Sequence, residues 1–358
     1  MGAGKRSLTT VTMALACAAA IMAAPGVAYA DPTPSPAPRS PSSTPASTKD
    51  LEAIRKKLDK LYHDAAVATD AYNAAEEKAD KQSAQIVELA RAIVQGQAKL
   101  DKLKDRAGAA ARAQYRSGGL PPEAELMLSD NPQQYLDGAG RVRQGERATK
   151  SLLAELARTQ KDLKQYAKDA SAQWQKLEGN RKAKAEAKKK VKKQIAAAEK
   201  LESELEEDEK ERLAELEREA AAKAQTAWLD SGVLDDVKGE ATASGKKAVE
   251  YATEQLGKQY EWGAEGPKTF DCSGLTLQAW AAAGQAIPRT SQEQWKQLDR
   301  VDIKDMRPGD LIIYNSDASH VAMYIGDGAM IHAPRPGRTV TVAGAGSMPI
   351  LGVVRPAA

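Results

Sequence analysis

Three residues in the last third of the chain are of the types that acyl-transfer chemistry uses: Cys272, His320 and His332. A thiolate attacks an amide carbonyl. One imidazole takes the thiol proton and later returns it to the leaving amine, and a second imidazole can fix the tautomer of the first. Residue types alone leave other readings open. A lone cysteine at a helix start is often structural, and a strand histidine is often a satisfied polar residue. A Cys/His/His zinc site is a third option, although no fourth ligand stands out and the spacing matches no zinc pattern.

The flanking sequence says how these groups would be held. Cys272 lies in KTFDCSGL (268–275), where a loop becomes a helix. Asp271 is placed as the N-cap, SGLTLQAWAAAG (273–284) as the helix, and Gly284 as its close. A thiol in the first turn meets the positive end of the helix dipole, so the sequence predicts a lowered thiol pKa. Phe270, the only phenylalanine, is expected to pack behind this turn. A second helix is expected over KKAVEYATEQLG (246–257), and short strands over 310–315, 320–326, 329–333, 338–343 and 350–354. His320 and His332 fall on two of these strands, joined by the tight Gly326-Asp327-Gly328 turn, and so are expected to be neighbours. Helices followed by short strands indicate an α+β domain with an antiparallel sheet over 243–358, after a linker at 228–242.

The N-terminus bears on the cysteine. Residues 1–30 read as a secretory signal, with Lys5 and Arg6, an apolar run over 11–24 and an Ala28-Tyr29-Ala30 cleavage site. Cys17 lies inside that run, with flanks that fit a lipoprotein site poorly, and is expected to be discarded with it. The mature chain is thus expected outside the cytoplasm, secreted or held at the wall, with one cysteine. Such a thiol is inert and buried, bridged to another molecule, or a nucleophile. No later segment is apolar enough to span a bilayer. The net charge of +3 gives no bulk electrostatic argument for nucleic acid.

Residues 31–48 alternate Pro with Ser, Thr and Ala and read as a disordered spacer. From 49 to 116 apolar residues recur on a seven-residue register, from Leu51, Ile54, Leu58 and Leu61 to Leu100 and Leu103. That is a coiled-coil seam on a helix about 100 Å long. Gln82 and Gly96 fall on the seam and are expected to weaken it. Gly118, Gly119, Pro121, Pro122 and Pro132 interrupt the pattern, so a tip is expected at about 117–136. A second helix is expected over 133–227, with Asn180 and Lys184 on its seam. An antiparallel hairpin over 49–227 is the economical arrangement, a parallel dimer the alternative. Leu126, Met127 and Leu128 would form a packing cap or a partner contact. The charge runs 182–194 and 202–219 read as solvated faces, and His63 as a surface or seam residue.

The order QLGKQYEWGAEGPKTFDCSGL (255–275), PRTSQEQW (288–295), RPGDLIIY (307–314) and HVAMYIGDGAMIHAP (320–334) resembles the NlpC/P60 family of papain-like cysteine peptidases, over about 245–356. The upstream coiled coil resembles, more loosely, secreted members from Gram-positive actinobacteria. The resemblance implies a long helical coiled coil followed by an α+β papain-like domain. It implies Cys272 as nucleophile, His320 as base and His332 as the orienting residue. Tyr260 would help hold the oxyanion, and Trp262 and Gly263 would shape the cleft or simply pack. Ala264 departs from the second glycine of many relatives. Asp271, Ser273, Arg289 and Ser291 would line the substrate side, with Asp271 and Arg289 alternatively a cap and an ion pair. The implied substrate is the peptidoglycan stem peptide, cut at the γ-D-glutamyl–diamino acid bond, with no metal or cofactor. An N-acetylmuramoyl-L-alanine amidase and a coiled-coil scaffold that recruits or activates other wall enzymes are the competing readings. A cell-wall or division-complex protein is the partner expected on the coiled coil. The hairpin or the segment 228–245 is expected to cover the cleft until a partner moves it.

Overall fold

A computed structural model describes residues 47–116, 124, 127–128, 131–234, 237 and 239–356. The signal, nearly all of the proline-rich spacer, and most of the tip lie outside the described residues. The described chain is a long helical hairpin followed by an α+β domain with an antiparallel sheet.

Helix α1 (Thr48–Arg116) and helix α2 (Pro132–Ser203) pair along the heptad seam. Their cross-helix contacts run in opposite senses. Near one end Tyr62 donates to Glu202 at 3.1 Å, further along Lys184 reaches Glu76 and Asn180 donates to Gln82, and near the far end Lys99 pairs with Glu155. The hairpin is therefore antiparallel and within one chain. Leu51, Leu58, Leu100, Leu103, Leu177, Val191 and Ala198 are buried on the seam. The two positions expected to weaken the seam are partnered. Gln82 accepts from the Asn180 amide at 2.8 Å, which satisfies two part-buried amides at once. A Cβ on Gly96 would lie 2.8 Å from Leu163 Cδ2, so the missing side chain makes room for a leucine of the other helix. Met127 and Leu128 are 80% and 70% exposed and form no packing cap; Leu126 lies outside the described residues.

The second helical stretch is not continuous, contrary to expectation. It breaks at Glu204–Glu206, and α3 (Glu207–Leu229) starts there with a reciprocal box in which the Glu206 amide donates to the Glu209 carboxylate. Sequence periodicity carries across this break because Leu205 and Leu213 stay in the apolar cluster with Leu51 and Leu58. At its other end α3 is tied to the C-terminal domain. Gln225 donates to the Gly328 carbonyl and accepts from the Gly346 amide, and Trp228 packs on the sheet.

The C-terminal domain comprises α4 (Ala243–Glu254), α5 (Cys272–Ala282), α6 (Ser291–Gln297) and six strands. The strands are β1 (Asp299–Val301), β2 (Leu311–Tyr314), β3 (His320–Gly326), β4 (Ala329–His332), β5 (Thr341–Gly344) and β6 (Ile350–Arg355). Their order is β1-β6-β2-β3-β4-β5, antiparallel throughout. One face packs on α4 and α5 through Ala248, Leu275, Ala279, Trp280, Leu311, Ile313 and Met323. The other face gathers Met306, Ile312, Tyr314, Tyr324 and Met330 against Trp228 and Val237. Both faces of β2 are thus covered, which is why LIIY reads as an unbroken apolar run. Strand β1 and helix α6 were not expected from the sequence.

Candidate active site

Asp271 builds the turn that carries Cys272. Its Oδ1 accepts from the Gly274 amide at 2.6 Å and caps α5. Its Oδ2 accepts from the Gly263 amide at 3.0 Å, which ties the Tyr260–Gly263 segment to the same carboxylate. Arg289 closes the arrangement with Nη1 to Oδ1 at 3.0 Å and Nη2 to Oδ2 at 2.7 Å, and donates to Ser273 Oγ at 2.9 Å. Asp271 and Arg289 therefore cap and pair with one another, a paired geometry that lets two charges stay buried. Burial works against the Arg289 charge, and Asp271 and Glu265 outweigh it, so its pKa lies above the ordinary value. Gly274 is required by close approach. A Cβ there would meet the Ala264 carbonyl oxygen at 2.2 Å. Phe270 is fully buried beneath the turn, in the core with Cys272 and Leu275.

Strands β3 and β4 bring the histidines together. His320 Nε2 lies 3.0 Å from His332 Nδ1, with the rings edge to face. Only one of the two nitrogens carries the shared proton, so each ring fixes the tautomer of the other. Both are buried. Burial lowers His320 to about 4, and burial with the His320 charge lowers His332 to about 3, so both are neutral near pH 7. Cys272 and Val321, the residue after His320, lie in one buried cluster, and the Val321 backbone amide favours the thiolate. The cysteine helix and the histidine strand therefore meet at one point. Tyr260 is half-buried beside them; burial first, then the nearby Cys272 and Asp271, raises its hydroxyl pKa well above the ordinary value.

The thiol differs from the sequence expectation. Its pKa is raised well above the ordinary value, first by burial and then by Asp271 and Asp70. The helix terminus does favour thiolate, but a covered thiol beside two carboxylates loses more than the dipole returns. Asp70 comes from α1, and so does the cover.

A polar line on α1 lies across the cleft. Ser291 Oγ lies 2.9 Å from Asp70 Oδ2 and 2.6 Å from the Ala318 carbonyl oxygen, two acceptors that share its single hydroxyl proton. The Asn73 amide donates to Asp271 Oδ2 at 3.1 Å. Tyr72 stacks edge to face on Trp262, with centroids 5.3 Å apart. His63 pairs with Asp317 at 3.0 Å and lies 3.3 Å from Ser319 Oγ. His63 is thus a partly exposed residue that also contacts the C-terminal domain. Asp70 and Asn73 are almost fully buried. Burial and the Asp271 charge raise Asp70 to about 7. These positions fall off the apolar seam and look solvated in sequence. The one hint is that His63 and Asp70 stand seven residues apart, and so share a face of α1.

The segment 202–219 is not simply solvated either. Glu217 pairs with Arg335 at 2.8 Å and Arg338 at 2.6 Å, and Glu202 with Arg335 at 3.2 Å. Of the residues singled out in sequence, Cys272, His320, His332, Tyr260, Asp271, Ser273, Arg289 and Ser291 all lie in this one region. Among the described residues no three His, Cys, Asp or Glu side chains are grouped to hold a metal ion, and no helix is long and apolar enough to cross a membrane.

Comparison with known proteins gives a family match inside this domain. The family model described as "NlpC/P60 family" matches residues 257–348. A probable endopeptidase of Corynebacterium glutamicum is 41% identical over 118 residues, which cover 33% of this chain and 56% of the relative. The probable endopeptidase p60 of Listeria monocytogenes is 48% identical over 84 residues, covering 23% of this chain and 17% of the relative. The chain thus spans little more than half, or less, of the curated relatives it matches. The crystal structure of the NlpC/p60 domain of the peptidoglycan hydrolase SagA is 31% identical, with 31% of this chain and 97% of that chain covered and a TM-score of 0.29.

Proposed function

Because its C-terminal domain belongs to the NlpC/P60 family, we propose that this chain is an exported peptidoglycan hydrolase that cuts stem peptides at the γ-D-glutamyl–diamino acid bond. The observation that carries the reading is the packing of Cys272 against the start of β3, beside the hydrogen bond between His320 and His332.

The chemistry follows from these groups. His320 accepts the Cys272 proton as the sulfur attacks the amide carbonyl. The oxyanion that forms is held by the Cys272 amide and by Tyr260. His332 holds the His320 ring and stabilises the imidazolium. The intermediate collapses, the C–N bond breaks, and His320 returns its proton to the leaving amine. A thioester remains. Water attacks it with His320 as base, and the carboxylic acid and free thiol are released. Asp271, Arg289, Ser273 and Ser291 position this turn, and Asp271 and Arg289 do so through each other.

The folded chain is a covered form on this reading. Asp70 and Asn73 fill the space beside Cys272, so α1 must move before a peptide reaches the thiol. A cell-wall or division-complex protein acting on the hairpin, whose far end exposes Tyr115, Met127 and Leu128, would supply that movement. The test is digestion of purified peptidoglycan by the wild-type chain and by Cys272→Ala, with fragments identified by mass. Fragments cut after D-glutamate in the wild type alone support the reading. Fragments with the peptide cut from muramic acid would make it an amidase. Silence of every chain, including variants with α1 loosened, would favour a scaffold.

A further inference from the structure

One carboxylate in the molecule is held by two arginines on the rim of the catalytic cleft. Glu217 Oε1 pairs with Arg335 Nη2 at 2.8 Å, and its Oε2 with Arg338 Nη2 at 2.6 Å. Each oxygen has its own guanidinium. This is how a carboxylate ligand is recognised when affinity and orientation both matter. The Arg335 guanidinium also lies over the Tyr62 ring at 4.2 Å, which fixes its plane.

The position of the pair ties it to the reaction. Arg335 follows His332 by three residues, so its Cα lies within about 11 Å of that histidine. Arg338 accepts at its carbonyl from the Tyr260 amide at 2.9 Å. A cavity of about 610 Å³ is lined by both arginines, by Glu217, and by His320 and His332. The arginines belong to the catalytic domain; Glu217 belongs to α3, outside it. Removing α3 and the end of α2, whose Glu202 also pairs with Arg335 at 3.2 Å, from this face would leave two cations on the cleft wall without their counter-charges.

We propose that Arg335 and Arg338 form a carboxylate-binding subsite of the cleft, that a free carboxylate on a residue flanking the scissile amide occupies it during turnover, and that Glu217 is its internal stand-in. This rests on the peptidase reading above and deepens it. Recognition of a carboxylate selects acidic stem peptides over neutral ones. Competition with Glu217 makes the subsite available only when α3 and α1 release the domain, because a tethered carboxylate acts at high effective concentration.

The test uses the full chain and the tripeptide L-alanyl-γ-D-glutamyl-diaminopimelate in three forms: unmodified, amidated on the glutamyl α-carboxylate, and amidated on the diaminopimelyl carboxylates. Glu217→Gln should lower KM for the unmodified peptide severalfold. Arg338→Gln in that background should raise KM by roughly tenfold or more, with kcat changed by less than about twofold. One amidated form should be indifferent to Arg338→Gln, and that form identifies which residue supplies the carboxylate. If Arg338→Gln changes all three peptides by one factor, or speeds them all as Glu217→Gln does, the arginines only fasten α3 and the proposal is overturned. If no chain cleaves any form even when Asp70→Arg and Asn73→Arg are added to displace α1, the endopeptidase reading fails. The subsite is then decided by titrating the same peptides into the same chains, and an affinity independent of Arg338 overturns it.

Discussion

Asp70 helps hold the Cys272 thiol protonated, and Asp271 does the same for both. The thiol is held protonated by burial and by two neighbouring carboxylates, and Asp70 is raised to about 7 by burial and by Asp271. Cys272, Asp271, Arg289, Ser291 and Gln292 surround the Asp70 carboxyl, and among them Arg289 and the Ser291 and Gln292 donors oppose the rise. The sign follows from linkage. A carboxyl raised in the covered form stabilises it fully below its ordinary pKa of 3.8, and that stabilisation is lost as pH rises through about 7. The covered form should therefore loosen progressively between about pH 4 and pH 7 and change little above that. Hydrogen exchange of the Tyr62–Asn73 amides, corrected for intrinsic rate, should speed up over that range in the wild type but not in Asp70→Asn. Equal profiles would count against Asp70 as the responsive group. Arg289 gives a second prediction. Arg289→Ala leaves the Asp271 carboxylate buried without a counter-charge and should cost about 3–5 kcal/mol, seen as a lower Tm. A stability loss under about 1 kcal/mol would mean that water or Asn73 replaces the guanidinium.

At the scale of the elements, sequence pattern and structure agree where periodicity is strong. The heptad seam predicts α1, and the apolar runs predict β2, β3, β4, β5 and β6 to within a few residues. Strand β1 escapes because Asp299-Arg300-Val301 is three residues long and partly exposed, with no alternation to read. Helix α6 escapes because six of its seven residues are polar; its Thr290 cap and the buried Gln294 mark it only once Ser273 and Thr276 are seen beside it. The break before α3 escapes because the apolar spacing runs through it. Cys272, His320 and His332 stand out in sequence by their types and neighbours, and the fold brings them into one region. The cover was not, since Asp70 and Asn73 look solvated until Asp271 and Ser291 are found opposite them. Nor was the raised thiol pKa, because the dipole argument sees the helix and not what lies over it. The seam yields a prediction of its own. Gly96→Leu would drive a side chain into Leu163 and should destabilise the hairpin by about 1–3 kcal/mol. Circular dichroism melting should show a lower hairpin transition, and an unchanged one would mean the helices shift apart at little cost.

At the scale of the molecule, the hairpin and the catalytic domain fold as one compact unit, with α1 over the cleft and α3 along the sheet. The contacts that join them at the cleft are mostly polar: Asn73 to Asp271, Asp70 to Ser291, His63 to Asp317, and Glu217 to the two arginines. Such an interface separates with less loss than an apolar one, since water can satisfy every group it exposes. That suits a cover that is held in place and later displaced. The measurement that tests the central claim most directly compares peptidoglycan digestion by the full chain, by the full chain carrying Asp70→Arg and Asn73→Arg, and by the same double variant carrying Cys272→Ala. The two new arginines would face Arg289 and push α1 from the cleft. We predict that the double variant releases stem-peptide fragments at least about tenfold faster than the wild type, and that loss of Cys272 abolishes release. Equal rates for the wild type and the double variant would contradict the cover, and release that persists without Cys272 would contradict the nucleophile.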